Sequence, residues 1–136
     1  MRNKIFTSVL ALVLILALTI PVFAAGGGSA NPQYNNVSSA SVSLTFSGSY
    51  AMCSAKIVGL SGSSISGAQV YLDRVYSDGS TSRVATWNNP PISGTRLTFS
   101  DSRYVISGYT YRLTMEATVT RNGVSEPINL SMDSYH

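Results

Sequence analysis

Residues Ser107 to Leu130 read SGYTYRLTMEATVTRNGVSEPINL, and this stretch decides the fold. Tyr109, Tyr111, Leu113, Met115, Ala117 and Val119 occupy every second position, with Thr, Arg and Glu between them. Side chains of a strand alternate between its faces, so the pattern builds one apolar and one polar face, whereas a helix needs a period near 3.6. Asn122-Gly123 then interrupts the run. Both residues accept positive φ, so the pair predicts a two-residue type I′ hairpin that sets the register of the strand after it. Ile128, Leu130 and Met132 continue the alternation. Pro127 lacks an N–H for the ladder, which assigns this last strand to a sheet edge.

Turn formers recur upstream at Ser47-Gly48, Ser61-Gly62, Ser66-Gly67, Asp78-Gly79, Asn89-Pro90-Pro91 and Ser93-Gly94. Between them lie short runs rich in Val, Ile, Thr, Tyr and Phe, residues that suit a pleated, half-buried surface. Ala40 to Ser47 presents Val42, Leu44 and Phe46 on one side, and Tyr50 to Val58 presents Ala51, Cys53, Ala55 and Ile57. Ala68 to Tyr76 offers Val70 and Leu72, and Asp78-Gly79 turns it into Arg83 to Trp87. There the parity is divided, Val84 against Ala85 with Trp87, a conflict that a β-bulge reconciles. Arg96 to Phe99 supplies Leu97 and Phe99. With the opening hairpin these make seven strands, and the expected fold is all-β: a single antiparallel seven-stranded β-sandwich, with a small barrel as the competing solution.

Ahead of the strands, the 136-residue chain opens with Arg2 and Lys4, the apolar run IFTSVLALVLILALTI, and Pro21-Val22-Phe23-Ala24. A basic start, an apolar helical stretch and a small-residue exit are the marks of a secretory signal peptide. Retention as a membrane anchor is the alternative, against which stand Pro21 and the Val-x-Ala pattern ending at Ala24. The expected organisation is a signal peptide at 1–24, a flexible leader at 25–39 rich in Gly, Ser and Asn, and the sandwich at 40–136. The product is expected outside the cell, with no membrane association after cleavage.

Nine Lys and Arg against six Asp and Glu give a formal charge of +3, and loss of Arg2 and Lys4 leaves an excess of one. The remaining arginines are scattered, so no basic patch tracks a phosphate backbone and nucleic acid is not an expected partner. Cys53 is the only cysteine, which forbids an internal disulfide; it is either a small buried core residue or a thiol open to intermolecular pairing. The one histidine, His136, ends the sequence, and no serine stands in a Gly-x-Ser-x-Gly context. Nucleophilic catalysis through Ser-His or Cys-His therefore lacks its parts. Glu116 and Glu126, flanking the Asn-Gly turn, read as surface charges, with Glu126 expected near an arginine across the hairpin. No Asp-x-Asp cluster is present for calcium. No catalytic residue, metal or cofactor is expected.

At Gly108-Tyr109-Thr110-Tyr111-Arg112-Leu113 the sequence resembles the strand-F corner of immunoglobulin-like and fibronectin type III-like domains. The resemblance makes Tyr111 the corner tyrosine, sets Cys53 at the first disulfide position and puts Leu113 at the second, so the bridge is missing. Trp87 comes too late to be the strand-C tryptophan of an antibody domain. The signal peptide, Ala-Ser-Val-Ser-Leu-Thr-Phe-Ser-Gly, Cys53-Ser54-Ala55 and Thr118-Val119-Thr120-Arg121-Asn122-Gly123 also resemble small secreted proteins of Gram-positive bacteria. That likeness implies an extracellular β-sandwich and carries no activity with it.

Eight tyrosines are the feature most open to a functional reading. Tyr34, Tyr50, Tyr71, Tyr76 and Tyr104 fall at outward or loop positions, and Tyr71, Tyr76 and Tyr104 are the candidate binding residues. Tyr111, Cys53, Trp87, Asn122 and Gly123 are assigned to the framework. The expected function is a non-catalytic extracellular module that binds a protein or glycan, or contributes structure, presenting loops such as Ser61 to Gly67 and Asn88 to Gly94. A carbohydrate-binding module is the first alternative and requires at least two coplanar aromatics on one face. A carboxylate-based hydrolase is the second and requires two acids in one cleft.

Overall fold

The computed structural model describes residues 33–136. The expected signal peptide at 1–24 and the first part of the expected leader lie outside them. Eight strands follow in order: β1 (Val37–Ser47), β2 (Tyr50–Gly59), β3 (Ser64–Val75), β4 (Thr81–Asn88), β5 (Ile92–Ser93), β6 (Arg96–Tyr104), β7 (Thr110–Arg121) and β8 (Val124–Tyr135). They form two antiparallel four-stranded sheets, β1-β2-β6-β5 and β4-β3-β7-β8, packed as a sandwich.

The alternation of the Ser107–Leu130 stretch becomes the inner face of β7, which lies between β3 and β8. Tyr111, Leu113, Met115 and Val119 are fully enclosed and Ala117 nearly so. Asn122 (φ 51°) and Gly123 (φ 75°) both take the left-handed conformation that the type I′ turn requires. Register then counts outward from that turn, through Ala117 opposite Ile128 and Met115 opposite Leu130, to Thr110 opposite Tyr135. Pro127 lies on edge strand β8. From the other sheet Leu44, Ala51, Cys53, Ala55, Ile57, Leu97 and Phe99 complete the core. Each enclosed Leu or Ile contributes about 2 kcal/mol of burial, and truncating one to Ala costs roughly 2–5 kcal/mol.

The strand count of seven is corrected to eight. The addition, β5, is two exposed residues paired with Leu97 and Arg96, too short to show any alternation. β1 begins at Val37 rather than Ala40, because Val37 is buried and opposite Gly59. β6 runs past Phe99 to Tyr104 through the polar residues Ser100 to Arg103, which the apolar pattern does not mark. The divided parity of β4 is a register shift: Leu72 pairs with Ala85 but Asp73 with Arg83, so Val84 is the extra residue. Tyr109 precedes β7 and is exposed instead of sharing its inner face.

Trp87 ties the two sheets along one side. Its ring sits 5.0 Å from Phe99 of β6, and its Nε1–H donates to Asp101 Oδ2 at 2.6 Å. Cys53 is 1 % exposed, so its thiol cannot reach another chain while the domain is folded. Burial, reinforced by the Asp101 carboxylate and opposed by Arg103, pushes that thiol up to about 11, which leaves it inert.

The tyrosine-rich end as candidate functional site

The β1–β2 turn, the β3–β4 turn, the β6–β7 connection and Tyr135–His136 gather at one end of the sandwich. Backbone bonds stitch them: Val105 N–H donates to Ser49 O at 2.9 Å, and Gly108 N–H to His136 O at 2.7 Å. The His136 ring stacks on Phe46 at 4.4 Å, linking the last strand to the first. Tyr111 anchors the β6–β7 connection from within. Its hydroxyl donates to Ile106 O at 2.7 Å and accepts the Ile106 N–H at 3.0 Å.

This end carries Tyr50, Tyr76, Tyr104, Tyr109 and Tyr135 as exposed side chains, with Ile106 exposed in the β6–β7 connection; Tyr50 and Tyr104 stand on the outer face of one sheet and Tyr135 on that of the other. Tyr104 and Tyr135 are the barest, at 65 % and 72 %. Tyr50 and Tyr104 face each other across the β2–β6 pair, with rings 6.1 Å apart and inclined at 84°. Tyr76 and Tyr109 pair likewise, at 6.5 Å and 81°. Edge-to-face contact favours one arrangement of the two rings within each pair. Tyr76, Tyr109 and Tyr135 line a cleft of about 380 Å³ with Val75, Ser77 and Thr110. Its lining holds no acid and no base.

The three sequence-derived candidates part company. Tyr76 and Tyr104 belong to this end, but Tyr71 lies mid-strand on the outer face of β3, with the Arg83 guanidinium 3.9 Å over its ring. Its hydroxyl donates to Glu116 Oε1 at 2.8 Å, and partial burial followed by that carboxylate hold it above the usual phenol range. The face around it is closed by its own polar contacts. Arg83, Asp73, Arg112 and Asp133 stand directly opposite one another across β4, β3, β7 and β8. Asp73, itself buried, pairs with Arg83, and Arg112 grips Asp133 through both oxygens at 2.6 and 2.8 Å. A row of alternating charges satisfies itself and leaves little to offer a ligand.

Glu126 does not meet an arginine. Its two oxygens accept the backbone N–H groups of Asn35 and Asn36, each at 2.8 Å. The buried Asn36 side chain answers by donating to Val119 O at 3.0 Å and Val124 O at 2.9 Å. Residues ahead of β1 are thus latched onto the β7–β8 hairpin, at the end opposite the tyrosines.

Sequence reasoning passed over Tyr109, Tyr135 and Arg74. Register counted back from Asn122-Gly123 would have set Tyr135 opposite Thr110, beside Tyr109. No local signal places Arg74, whose guanidinium lies 4.4 Å over the Tyr109 ring and 5.9 Å from the Tyr111 ring. Comparison with known proteins finds no matching family model, no matching curated protein and no matching solved structure.

Proposed function

We propose that this chain is a secreted, non-catalytic, immunoglobulin-like sandwich that binds a protein partner through its tyrosine-rich end. Five exposed tyrosines at one end, three of them around a single cleft, with Ile106 exposed in the adjoining connection, carry the reading. Protein interfaces are enriched in Tyr, Met and Arg, and tyrosine offers large rigid area at low entropic cost. The N-terminal signal pattern supports secretion. The strand order and the Tyr111 hydroxyl returning to Ile106 support the immunoglobulin-like part of the reading.

The ring geometry favours protein over polysaccharide. Stacking on a sugar chain calls for coplanar rings, and the two exposed tyrosine pairs are inclined at 84° and 81°. A single sugar in the Tyr76–Tyr109–Tyr135 cleft is the second reading, favoured by that cleft's 380 Å³. A hydrolase would need two acids in one cleft, and this lining has none.

The purified protein applied to protein and glycan arrays tests the proposal. Saturable binding to a protein is expected, weakened at least about tenfold by Tyr104→Ser or Tyr135→Ser with thermal unfolding unchanged. Binding indifferent to both substitutions, or absent from every surface, refutes it.

A further inference from the structure

We infer that Tyr50 and Tyr104 form an oxidative cross-linking site, at which a peroxidase acting with hydrogen peroxide joins the two rings as dityrosine and staples β2 to β6. The two residues stand directly opposite each other in the β2–β6 pairing. Ser49 and Val105, the next pair along, are hydrogen-bonded, Val105 N–H to Ser49 O at 2.9 Å. Hydrogen-bonded and non-hydrogen-bonded pairs alternate along an antiparallel ladder, which makes Tyr50–Tyr104 a non-hydrogen-bonded pair, with Cα atoms about 4.5 Å apart and side chains at their closest. Both rings are exposed on the outer face of the sheet, with centroids 6.1 Å apart.

Oxidation takes one electron and one proton from each phenol, and the peroxide is reduced to two molecules of water. The two phenoxyl radicals then couple through a new carbon–carbon bond between positions ortho to their oxygens, and the hydrogens on those carbons move to the oxygens to restore both phenols. The product is lighter by two hydrogen atoms. To bond, the rings must turn from their inclination of 84° and close the remaining gap, which exposed side chains do on a fast timescale without disturbing the core. Rings held on one ladder meet at an effective concentration of roughly millimolar or more, well above that of separate molecules in dilute solution. Tyr76 and Tyr109 are placed less well: they lie past the last pair of the β3–β7 ladder, 6.5 Å apart and less exposed. The Arg74 guanidinium, 4.4 Å over the Tyr109 ring, also opposes loss of an electron from it. With a single cysteine the chain has no disulfide, so the Tyr50–Tyr104 bond supplies a covalent tie between strands that it otherwise lacks.

Dilute purified protein treated with a peroxidase and limiting hydrogen peroxide tests this. The expected product is a monomer lighter by two hydrogen atoms, with the blue fluorescence of dityrosine, whose digest joins the peptides carrying Tyr50 and Tyr104. A tie between residues so far apart in sequence should raise Tm by about 10 °C or more. Tyr50→Phe and Tyr104→Phe, which keep the ring, should each cut the yield of cross-linked monomer at least about tenfold, and Tyr109→Phe should leave it within about twofold. In urea, where the ladder is gone, the Tyr50–Tyr104 link should give way to mixed products. Fluorescence confined to dimers, a monomer link between other tyrosines, an equal yield of the Tyr50–Tyr104 link in urea, or a yield indifferent to both Tyr50→Phe and Tyr104→Phe overturns the inference. None of these results bears on protein binding sensitive to Tyr135→Ser, so the reading above stands or falls separately.

Discussion

Replacing Tyr111 by Phe removes one oxygen and keeps the ring. The ring is fully enclosed, 5.9 Å from Phe46 and from the Arg74 guanidinium, so its packing survives the change. What disappears is the pair of bonds to the Ile106 N–H and C=O that pins the β6–β7 connection. Each such bond is worth about 0.5–1.5 kcal/mol net, so the pair sets a range of about 1–3 kcal/mol. The Ile106 side chain is 50 % exposed, and water that reaches this connection can re-satisfy the freed backbone groups. A loss of about 1–2 kcal/mol is therefore expected, which for a domain of this size lowers Tm by about 4–8 °C per kcal/mol. Urea unfolding measures it as a lower midpoint at unchanged slope. Tyr104→Phe, at an exposed position, should stay within about 0.5 kcal/mol of the parent. A Tyr111→Phe loss no larger than that control would refute the claim that this hydroxyl closes the corner. A changed slope would show that the substitution disturbs more than one connection.

Cys53 should resist thiol reagents until the domain unfolds, reacting at the rate of global opening, since it is 1 % exposed. Its ionisation also links stability to pH. The folded thiol is raised from 9.0 to about 11, so it favours folding fully below pH 9, and that advantage is lost as pH rises toward 11. Cys53→Ala should remove part of the alkaline destabilisation, on the order of 2 kcal/mol, and parallel curves for the two proteins would contradict the assignment. Glu126→Gln weakens two charge-assisted bonds at the head of β1. Amide exchange at Asn35 and Asn36 should accelerate by about tenfold or more while β7 stays protected; unchanged exchange at both would dismiss the latch.

How much was legible follows the range over which each feature is encoded. The inner face of β7 could be read residue by residue, because burial on one side of a strand imposes a period of two that neighbouring residues display together. Asn122-Gly123 was equally plain, since positive φ at two successive positions is a local demand that few residue pairs meet. β5, by contrast, has two residues and no period to show. The polar end of β6 is strand because β2 pairs with it, whatever its own composition.

The longer apolar strands, the turns and most of the inward residues were thus determined by the sequence itself, through periodicity and turn chemistry that act within a few residues. The site was decided by the tertiary structure. Tyr50, Tyr76, Tyr104, Tyr109 and Tyr135 come from five separate places in the chain, and only sheet order and register bring them to one end. The same long-range pairing gives Glu126 to the amides of Asn35 and Asn36, some 90 residues away. It also sets Arg83 against Asp73 and Arg112 against Asp133. Whether a charge is neutralised depends on which strands become neighbours, and no local stretch of sequence specifies that.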